Sequence, residues 1–504
     1  MSTSRDCDVL VVGCGPVGAT AAALLANAGL SILAVDRDPV HYPLPRAVAT
    51  DDDALRIWQT VPGLEERILS GTISSPLVKY TGIGRKPFMV GDSQLAATPS
   101  GQPMLLLFHQ PTLELELRST LGQMDQAEVR LATELKSYTQ DSDGVTATLE
   151  GPDGEYTVRA GWLLGCDGAS SRVREAMGVG FAGKTSVHKW VVADVFTDEH
   201  PGRPEVEFYC DPTRPTVTMP MPGGRRRWEF MLMPGDDEDT IASPESIAKL
   251  VAADGWDLPY EVERAVVYTF HARIAERWRD GRAFLLGDSA HVTPPFIGQG
   301  LNSGVRDAGN IWWKIAAVEN GAVGPEVLDT YEVERRDHVK AMVDMAMRLG
   351  GVIQTTSPRV ARFRDAFLSR LLSLPGLKGY TERIGWKPAS VIPRGWLQNG
   401  KRRIGSPVGL QIPAFELVNR GGERSSLDAA LGTKWAVITD GKDPWELIDE
   451  AARQMLEQAG VEEIRLGSGW QDPDGSLTKW LKKKAKGGAV VIRPDRFVQG
   501  IWRR

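Results

Sequence analysis

With 504 residues, 42% of them hydrophobic, the chain is long enough to bury more than one core and is expected to form about three domains. A net charge of −6 argues against nucleic acid as a partner. The four cysteines, Cys7, Cys14, Cys166 and Cys210, form no C-x-x-C pair and no metal spacing, and the seven histidines show no H-x-x-x-H spacing, so a reducing, cytoplasmic setting fits and no metal site or nucleophile–histidine pair is indicated.

The first predicted element is an apolar strand, Asp8-Val9-Leu10-Val11-Val12, which runs directly into Gly13-Cys14-Gly15-Pro16-Val17-Gly18 and a helix of small residues from Ala19 to Ala28. In this G-x-G-x-x-G, Gly13 allows the tight turn, Gly15 lets backbone approach a pyrophosphate, and Gly18 lets helix and strand pack closely. The phosphates would sit on unpaired N–H groups at the helix's positive end. A second strand, Ser31 to Val35, ends at Asp36, 18 residues past Gly18, close to the spacing of an acid that binds a ribose hydroxyl. Arg37 next to it joins the candidate set. The unit predicts a dinucleotide site, NAD or FAD; a Gly-rich structural turn is the alternative. The apolar span from Gly18 to Val35 is interrupted by Asn27, Gly29 and Ser31 and closed by Asp36, so it reads as helix plus strand rather than a membrane span. Asp6 and Asp8 stand where a signal peptide would carry positive charge, so secretion is not expected.

Two later segments repeat the logic. Trp162-Leu163-Leu164-Gly165-Cys166-Asp167-Gly168 and Phe284-Leu285-Leu286-Gly287-Asp288-Ser289 each read as a buried strand ending in a carboxylate and a loop. A carboxylate at a strand's carboxyl end accepts hydrogen bonds from sugar hydroxyls, and the loop offers N–H groups to phosphate or a flavin edge. Three strand ends are thus expected to converge on one crevice. Between the two segments, Lys189 to Phe196 and Arg227 to Leu232 alternate as strands of a sheet covered on one face. Residues Met233 to Asp239 read as a solvated turn. Residues 346–400 read as a helical connector. A separate unit occupies 401–504, with a strand at Trp435–Thr439, a helix at Pro444–Ala459 and a strand at Ala489–Val498. The run Lys479 to Lys486 reads as a solvated helix face, with an anion patch as the alternative.

In these motifs the chain resembles the flavin-dependent aromatic hydroxylases, single-component monooxygenases built like p-hydroxybenzoate hydroxylase. The glycine motif, the central Asp-Gly segment and the Gly-Asp segment about 120 residues further on occur in that family's order. Within the family, Tyr209-Cys210-Asp211-Pro212-Thr213-Arg214-Pro215, Gly223 to Met231 and Pro294-Pro295-Phe296-Ile297-Gly298-Gln299-Gly300 look like the 3-(3-hydroxyphenyl)propionate hydroxylases. The resemblance implies an α/β protein: a discontinuous Rossmann-like FAD-binding domain (1–184 and 270–345), an inserted β-sheet substrate domain (185–269), and a thioredoxin-like carboxyl-terminal domain. That last unit has no cysteine, so dithiol chemistry is excluded and a packing or homodimer role is left.

Carried over residue by residue, the resemblance places Asp36 on the adenosine ribose, Arg46 and Gln110 on the pyrophosphate and ribityl chain, and Asp288 on ribityl or ribose hydroxyls. Gly300, Leu301 and Asn302 then lie at the flavin, and Asp167 belongs to a segment tied to both FAD and the nicotinamide. The implied reaction is ortho-hydroxylation of a small phenol with NADH or NADPH and O₂, through a flavin C4a-hydroperoxide that must be kept dry. Pro295 is expected beside substrate and flavin. His291, or His109, is a candidate for phenol deprotonation, with a structural hydrogen bond as the alternative for each. Tyr209, Arg214, Trp228 and Phe230 are candidate substrate contacts on the sheet, with core packing as the alternative for the aromatics. A resorcinol or polyketide hydroxylase shares this pattern. A flavin reductase or dehydrogenase on the same fold, and a non-enzymatic FAD-holding scaffold, are readings from other classes.

Overall fold

In the computed structural model, which describes residues 5–40, 45–75, 77–197 and 203–503, the strand Cys7–Val12 pairs in parallel with Ile32–Val35 on one side and Gly154–Gly165 on the other. Ala283–Leu285 and Ala127–Arg130 extend this parallel core at either side, and the antiparallel strands Val145–Gly151 and Glu134–Gln140 continue from Gly154–Gly165. Val9 to Val12 and Ile32 to Val35 are all buried, the continuous apolar run that a parallel strand covered on both faces requires. Register aligns the strand ends: Val12 lies opposite Gly165, and Gly165 opposite Leu285. The three expected loops therefore open onto one edge of the sheet.

A second eight-stranded sheet forms a roof, in the order His291–Val292, Glu261–Ala275, Phe181–Phe196, Arg225–Met231, Thr216–Met221, Val206–Tyr209, Leu77–Thr81, Pro87–Asp92. It departs from the expected 185–269 limits in two ways. Strands of 16 and 15 residues run across both boundaries. Two further strands arrive from residues 77–92, one by a parallel pairing of Leu77–Thr81 with Val206–Tyr209. Pairing between segments so far apart leaves no trace in local periodicity.

Alternation sorts the roof's side chains onto two faces. Trp228 and Phe230 pack with Ile247, Leu250 and Val251 of the helix Pro244–Ala253 on the outer face, while Met231, Val217, Met219, Phe208 and Tyr80 share a cluster with Phe296 on the inner face. Of the three consecutive arginines, Arg225 is partly exposed and pairs with Glu263, whereas Arg226 and Arg227 are buried on opposite faces.

The connector begins inside the helix Thr330–Ile353 and continues through Pro358–Leu372 and Pro375–Glu382. The terminal unit holds a mixed sheet in which Ala436–Thr439 pairs in parallel with Glu462–Arg465 and antiparallel with Ala489–Ile492. Its helix starts later than expected, at Glu450–Gln458, because the Asp449 carboxylate accepts the Ala452 N–H and caps it there. Along Lys479–Lys486, Leu481 and Ala485 face the core while Lys482 and Lys483 point to solvent. Among the described residues no helix is long and apolar enough to cross a membrane.

Candidate active site

The three aligned strand ends border one continuous cavity of about 470 Å³ that runs from Asp36 beneath the roof sheet. Each motif glycine has its own reason to lack a side chain. Gly13 has φ +94°, and a Cβ there would lie 2.5 Å from the Cys166 carbonyl oxygen. A Cβ on Gly18 would sit 1.9 Å from the Gly13 oxygen, whereas one on Gly15 would meet no protein atom within 4 Å and would point into open space. Gly15 also precedes the helix Pro16–Asn27, whose amino end has no side-chain cap. Its first N–H groups remain available to an anion.

Asp36 is held rigidly at the cavity wall. Its Oδ2 accepts the Cys14 N–H at 2.8 Å and lies 3.3 Å from Arg118 Nη2, and its Oδ1 accepts the Asp38 N–H at 3.1 Å. Arg118 also donates to the Cys14 carbonyl at 3.1 Å, so it locks the acid to the glycine loop. Sequence reasoning missed Arg118, although Gln110, Glu114 and Arg118 are spaced by four along the helix Gln110–Leu121 and so share its cavity face. Arg37 lies on the wall with its side chain largely in solvent. Burial pushes the Cys14 thiol up to about 12 and the Cys166 thiol well above its usual value, so neither supplies a thiolate.

The segment Pro45–Ala47 is gripped from two sides. Gln110 Oε1 accepts the N–H groups of Arg46 and Ala47 at 3.0 and 2.7 Å, and its Nε2 donates to Glu114 at 2.7 Å. From the roof, Arg227 donates to the carbonyls of Arg46 and Pro45 at 2.8 and 2.7 Å while pairing with the buried Asp194. The Arg46 side chain is left exposed along the cavity. Gln110 thus reaches the cavity mainly through the loop it fixes.

At the second strand end, Asp167 accepts from Ser171 Oγ and the Val173 N–H, so its carboxylate caps the short helix Arg172–Ala176 while lying on the wall. At the third, Asp288 opens onto the cavity and accepts no hydrogen bond from any described residue. Its deep setting raises its carboxyl pKa, opposed by His291 and Arg46. Gly300 begins the helix Gly300–Glu319, which has no side-chain cap. Asn302 donates to the carbonyls of Gly298 and Ala49, tying the loop to the helix, and Leu301 lies on the wall.

Farther along, the cavity becomes apolar. Tyr80 and Phe208 stack with ring centroids 4.6 Å apart, and Val217 and Met219 lie beside them. Pro295 is exposed to this space at the start of a single helical turn. Phe296 is fixed edge-on against Trp190 and Phe270, each at 5.7 Å. The connector adds Trp386 and Lys387, the latter bridging Asp51 and Asp52 at 2.9 and 3.1 Å. Neither residue carries a signal in the sequence.

Five candidates from the sequence lie away from this cavity, and His109 with them. His291 is fully buried, its Nε2 2.6 Å from Asp307, which also pairs with Arg335. His109 Nδ1 lies 3.0 Å from Thr112 Oγ1. Trp228 donates to Asp254 on the outer face of the roof, and Phe230 packs there too. Arg214 pairs with Asp236, and Tyr209 lies under Arg85 and bonds Asp211. For Tyr209, Trp228 and Phe230 the correction is one of parity: on strands with a two-residue repeat, the neighbours Phe208, Arg227 and Glu229 face inward instead.

Open space at Gly15, an uncapped helix start, the fixed Asp36 carboxylate and the Asp288 carboxylate without a hydrogen bond suit a flavin dinucleotide lying along the cavity. The comparisons agree. Residues 6–346 match the family described as FAD binding domain, and residues 409–504 match the HcaD C-terminal domain. The chain is 37% identical to a 3-(3-hydroxy-phenyl)propionate/3-hydroxycinnamic acid hydroxylase of Burkholderia cenocepacia, over 97% of this chain and 93% of that protein. It is 34% identical to the protein of the same name from Mycolicibacterium smegmatis, over 99% and 91%. Among solved structures, it is similar to the flavin-dependent monooxygenase PieE in complex with FAD and substrate, with a TM-score of 0.82, 25% identity and coverage of 98% and 96%. It is also similar to aklavinone-11 hydroxylase with FAD and aklavinone, with a TM-score of 0.78, 27% identity and coverage of 99% and 96%.

Proposed function

The chain belongs to the family of FAD-dependent aromatic hydroxylases, and on that premise we propose that it hydroxylates an acidic phenol of the 3-(3-hydroxyphenyl)propionate kind, ortho to the ring hydroxyl, using NADH or NADPH and O₂. One observation carries the reading: a single cavity joins the dinucleotide loops at Gly13–Gly18 and Asp36 to the apolar compartment under the roof, past Asp288 and Leu301. The substrate class is supported by relatives 34–37% identical over nearly the full chain.

Bound FAD supplies the redox chemistry, taking electrons from the nicotinamide and activating O₂ for transfer of one oxygen atom to the ring. The protein's part is to bind, orient and exclude water. The amino end of the helix Pro16–Asn27 and the Gly15 backbone receive the pyrophosphate, and Asp36, fixed by Cys14 and Arg118, receives the adenosine ribose. Asp288 has acceptor capacity for the ribityl hydroxyls. Tyr80, Phe208, Val217, Met219 and Phe296 form dry walls against which a ring packs, and Pro295 stiffens the loop between the two halves.

A polycyclic aromatic is the second reading, favoured by the likeness to aklavinone-11 hydroxylase. The test is a panel of 3-(3-hydroxyphenyl)propionate, resorcinol and a polyketide phenol, scored for stimulated NADH oxidation and for oxygen-18 from O₂ in the product. A labelled catechol from the propionate supports the first reading, and labelled product from the polyketide alone replaces it with the second. Dehydrogenated product without label moves the chain to the reductase class, and no NADH oxidation with any compound leaves an FAD-holding scaffold.

A further inference from the structure

With both histidine candidates outside the cavity, the acid–base group facing a bound phenol must be sought among the wall residues. Glu229 stands out. It is 8% exposed, and that exposure is to the cavity. It accepts no hydrogen bond from any described residue; its nearest cation, Arg227 Nη1, is 4.0 Å away. With a cation only at the edge of ion-pair distance and no hydrogen bond, its oxygens keep acceptor capacity for a group in the cavity.

Its position fits a ring hydroxyl. Glu229 lies opposite Val217 in the sheet, and Val217 belongs to the apolar cluster with Tyr80, Phe208, Met219 and Phe296. Two residues earlier on the same face, Arg227 grips the Pro45–Arg46 backbone. Glu229 therefore sits between the cofactor loop and the apolar compartment, where the polar end of a ring would point.

We propose that Glu229 receives the substrate's ring hydroxyl, accepting its hydrogen bond and, as the new C–O bond forms, its proton. This rests on the hydroxylase reading of the same cavity. The phenolic O–H bond breaks, the proton passes to a Glu229 carboxylate oxygen, and the electron pair left on the phenol oxygen feeds the ring carbon that takes one oxygen atom of O₂, the other leaving as water. That carbon then loses its hydrogen as a proton, and Glu229 returns its proton to the ketone oxygen, restoring an aromatic diol and an ionised carboxylate. The established FAD and O₂ chemistry supplies the oxidant.

The charges around Glu229 suit a group that gains and loses a proton. Arg227 on its own strand, Asp194 on Phe181–Phe196 and Arg264 on Glu261–Ala275 face it, and the strand Thr216–Met221 brings no charge. Two arginines and one aspartate leave a single excess positive charge, which an ionised Glu229 balances. Burial raises its carboxyl pKa and thereby narrows the gap to a phenol; Arg227 and Arg264 oppose the rise and Asp194 adds to it.

The test uses the FAD-loaded enzyme and its Glu229→Gln and Glu229→Asp variants, with nitrophenols as coloured probes of the phenol site. If Glu229 and the phenol share one proton, binding of nitrophenolate above the probe's own pKa takes up close to one proton in the wild type, none in Glu229→Gln and most of it in Glu229→Asp. Indicator-dye or buffer-dependent calorimetry reads that number. Glu229→Gln should also lower kcat/KM for hydroxylation by about 100-fold or more, with FAD content and Tm unchanged. Equal proton uptake in wild type and Glu229→Gln, or unchanged kcat/KM, overturns the proposal. A collapse of Tm in both variants overturns it too, because it would show a structural carboxylate. Failure of the wild type to bind any nitrophenol or substrate phenol strikes the hydroxylase reading itself.

Discussion

Arg493 of the terminal unit and Glu334 of the helix Thr330–Ile353 meet in a two-pronged ion pair, Nη1–Oε1 2.9 Å and Nη2–Oε2 2.8 Å, with neither side chain exposed. Lys314 and Asn310 donate to the same carboxylate, and so does the Trp396 N–H. At a second seam, Asp428 joins Arg56 to Arg496. The terminal unit is therefore part of the FAD domain's buried electrostatics. Arg493→Met should lower stability by about 3–5 kcal/mol, because one partner of a buried pair is removed. Truncation before Gly409 should yield a chain of low Tm or poor solubility. Chemical denaturation checks the first, and a truncate as stable as the full chain would contradict both.

His338 predicts a pH dependence. Its imidazole is buried beside Arg335 and Arg306, and burial first, then those charges, pushes its pKa down from 6.5 to about 3. A base with a depressed folded-state value contributes stability that is complete above the unfolded value and is lost as pH falls towards the folded one. Unfolding free energy should thus decline between pH 6.5 and about 3, by up to ~1.4 kcal/mol per pH unit from this group. His338→Leu should flatten that part of the profile. Parallel slopes for variant and wild type would refute the assignment.

The motif glycines separate binding from folding. Gly15→Val adds a side chain that meets no protein atom at its Cβ, so it should fold normally yet purify without FAD. Gly18→Ala forces a Cβ against the Gly13 carbonyl and should lower Tm whether or not FAD is added. Asp36→Ala should weaken FAD binding by ~1.5–3 kcal/mol, the worth of a hydrogen bond to a charged group. Flavin absorbance of the purified proteins, with thermal melts, tells these outcomes apart.

The two faces of the roof should respond differently. Phe208→Ala and Met219→Ala line the cavity and should raise KM or uncouple NADH oxidation from hydroxylation, releasing peroxide. Phe230→Ala on the outer face should cost about 3–5 kcal/mol of stability and leave KM near that of the wild type. If Phe230→Ala alters KM while Phe208→Ala does not, the inner and outer faces have been exchanged.

What was legible in the sequence follows from how local its cause is. The turn at Gly13, the uncapped helix after Gly15 and the acid at Asp36 depend on a few dozen consecutive residues, and all lie together at the cavity. The roof strands are legible as strands, but which face points inward depends on register against partners far away, and a shift of one residue turns Trp228 and Phe230 outward and Arg227 and Glu229 inward. Leu77–Thr81 joins the roof by pairing with a strand about 130 residues later. Lys387 and Trp386 reach the wall only because the connector folds back, and their local sequence carries no sign of it. Arg118 is the exception, since its spacing from Gln110 was readable as one helical face.

The double grip on Pro45–Ala47 has a consequence for redesign. Gln110 holds the segment's N–H groups and Arg227 its carbonyls, so this stretch of the cavity wall takes its shape from two parts of the chain at once. A chimaera that replaced the roof with one from a relative of different specificity would exchange one half of that grip. Swapped sheets lacking an Arg227–Asp194 equivalent should inherit a new substrate range on paper and a loosened flavin in practice. The transferable cassette is the roof together with the loop it grips.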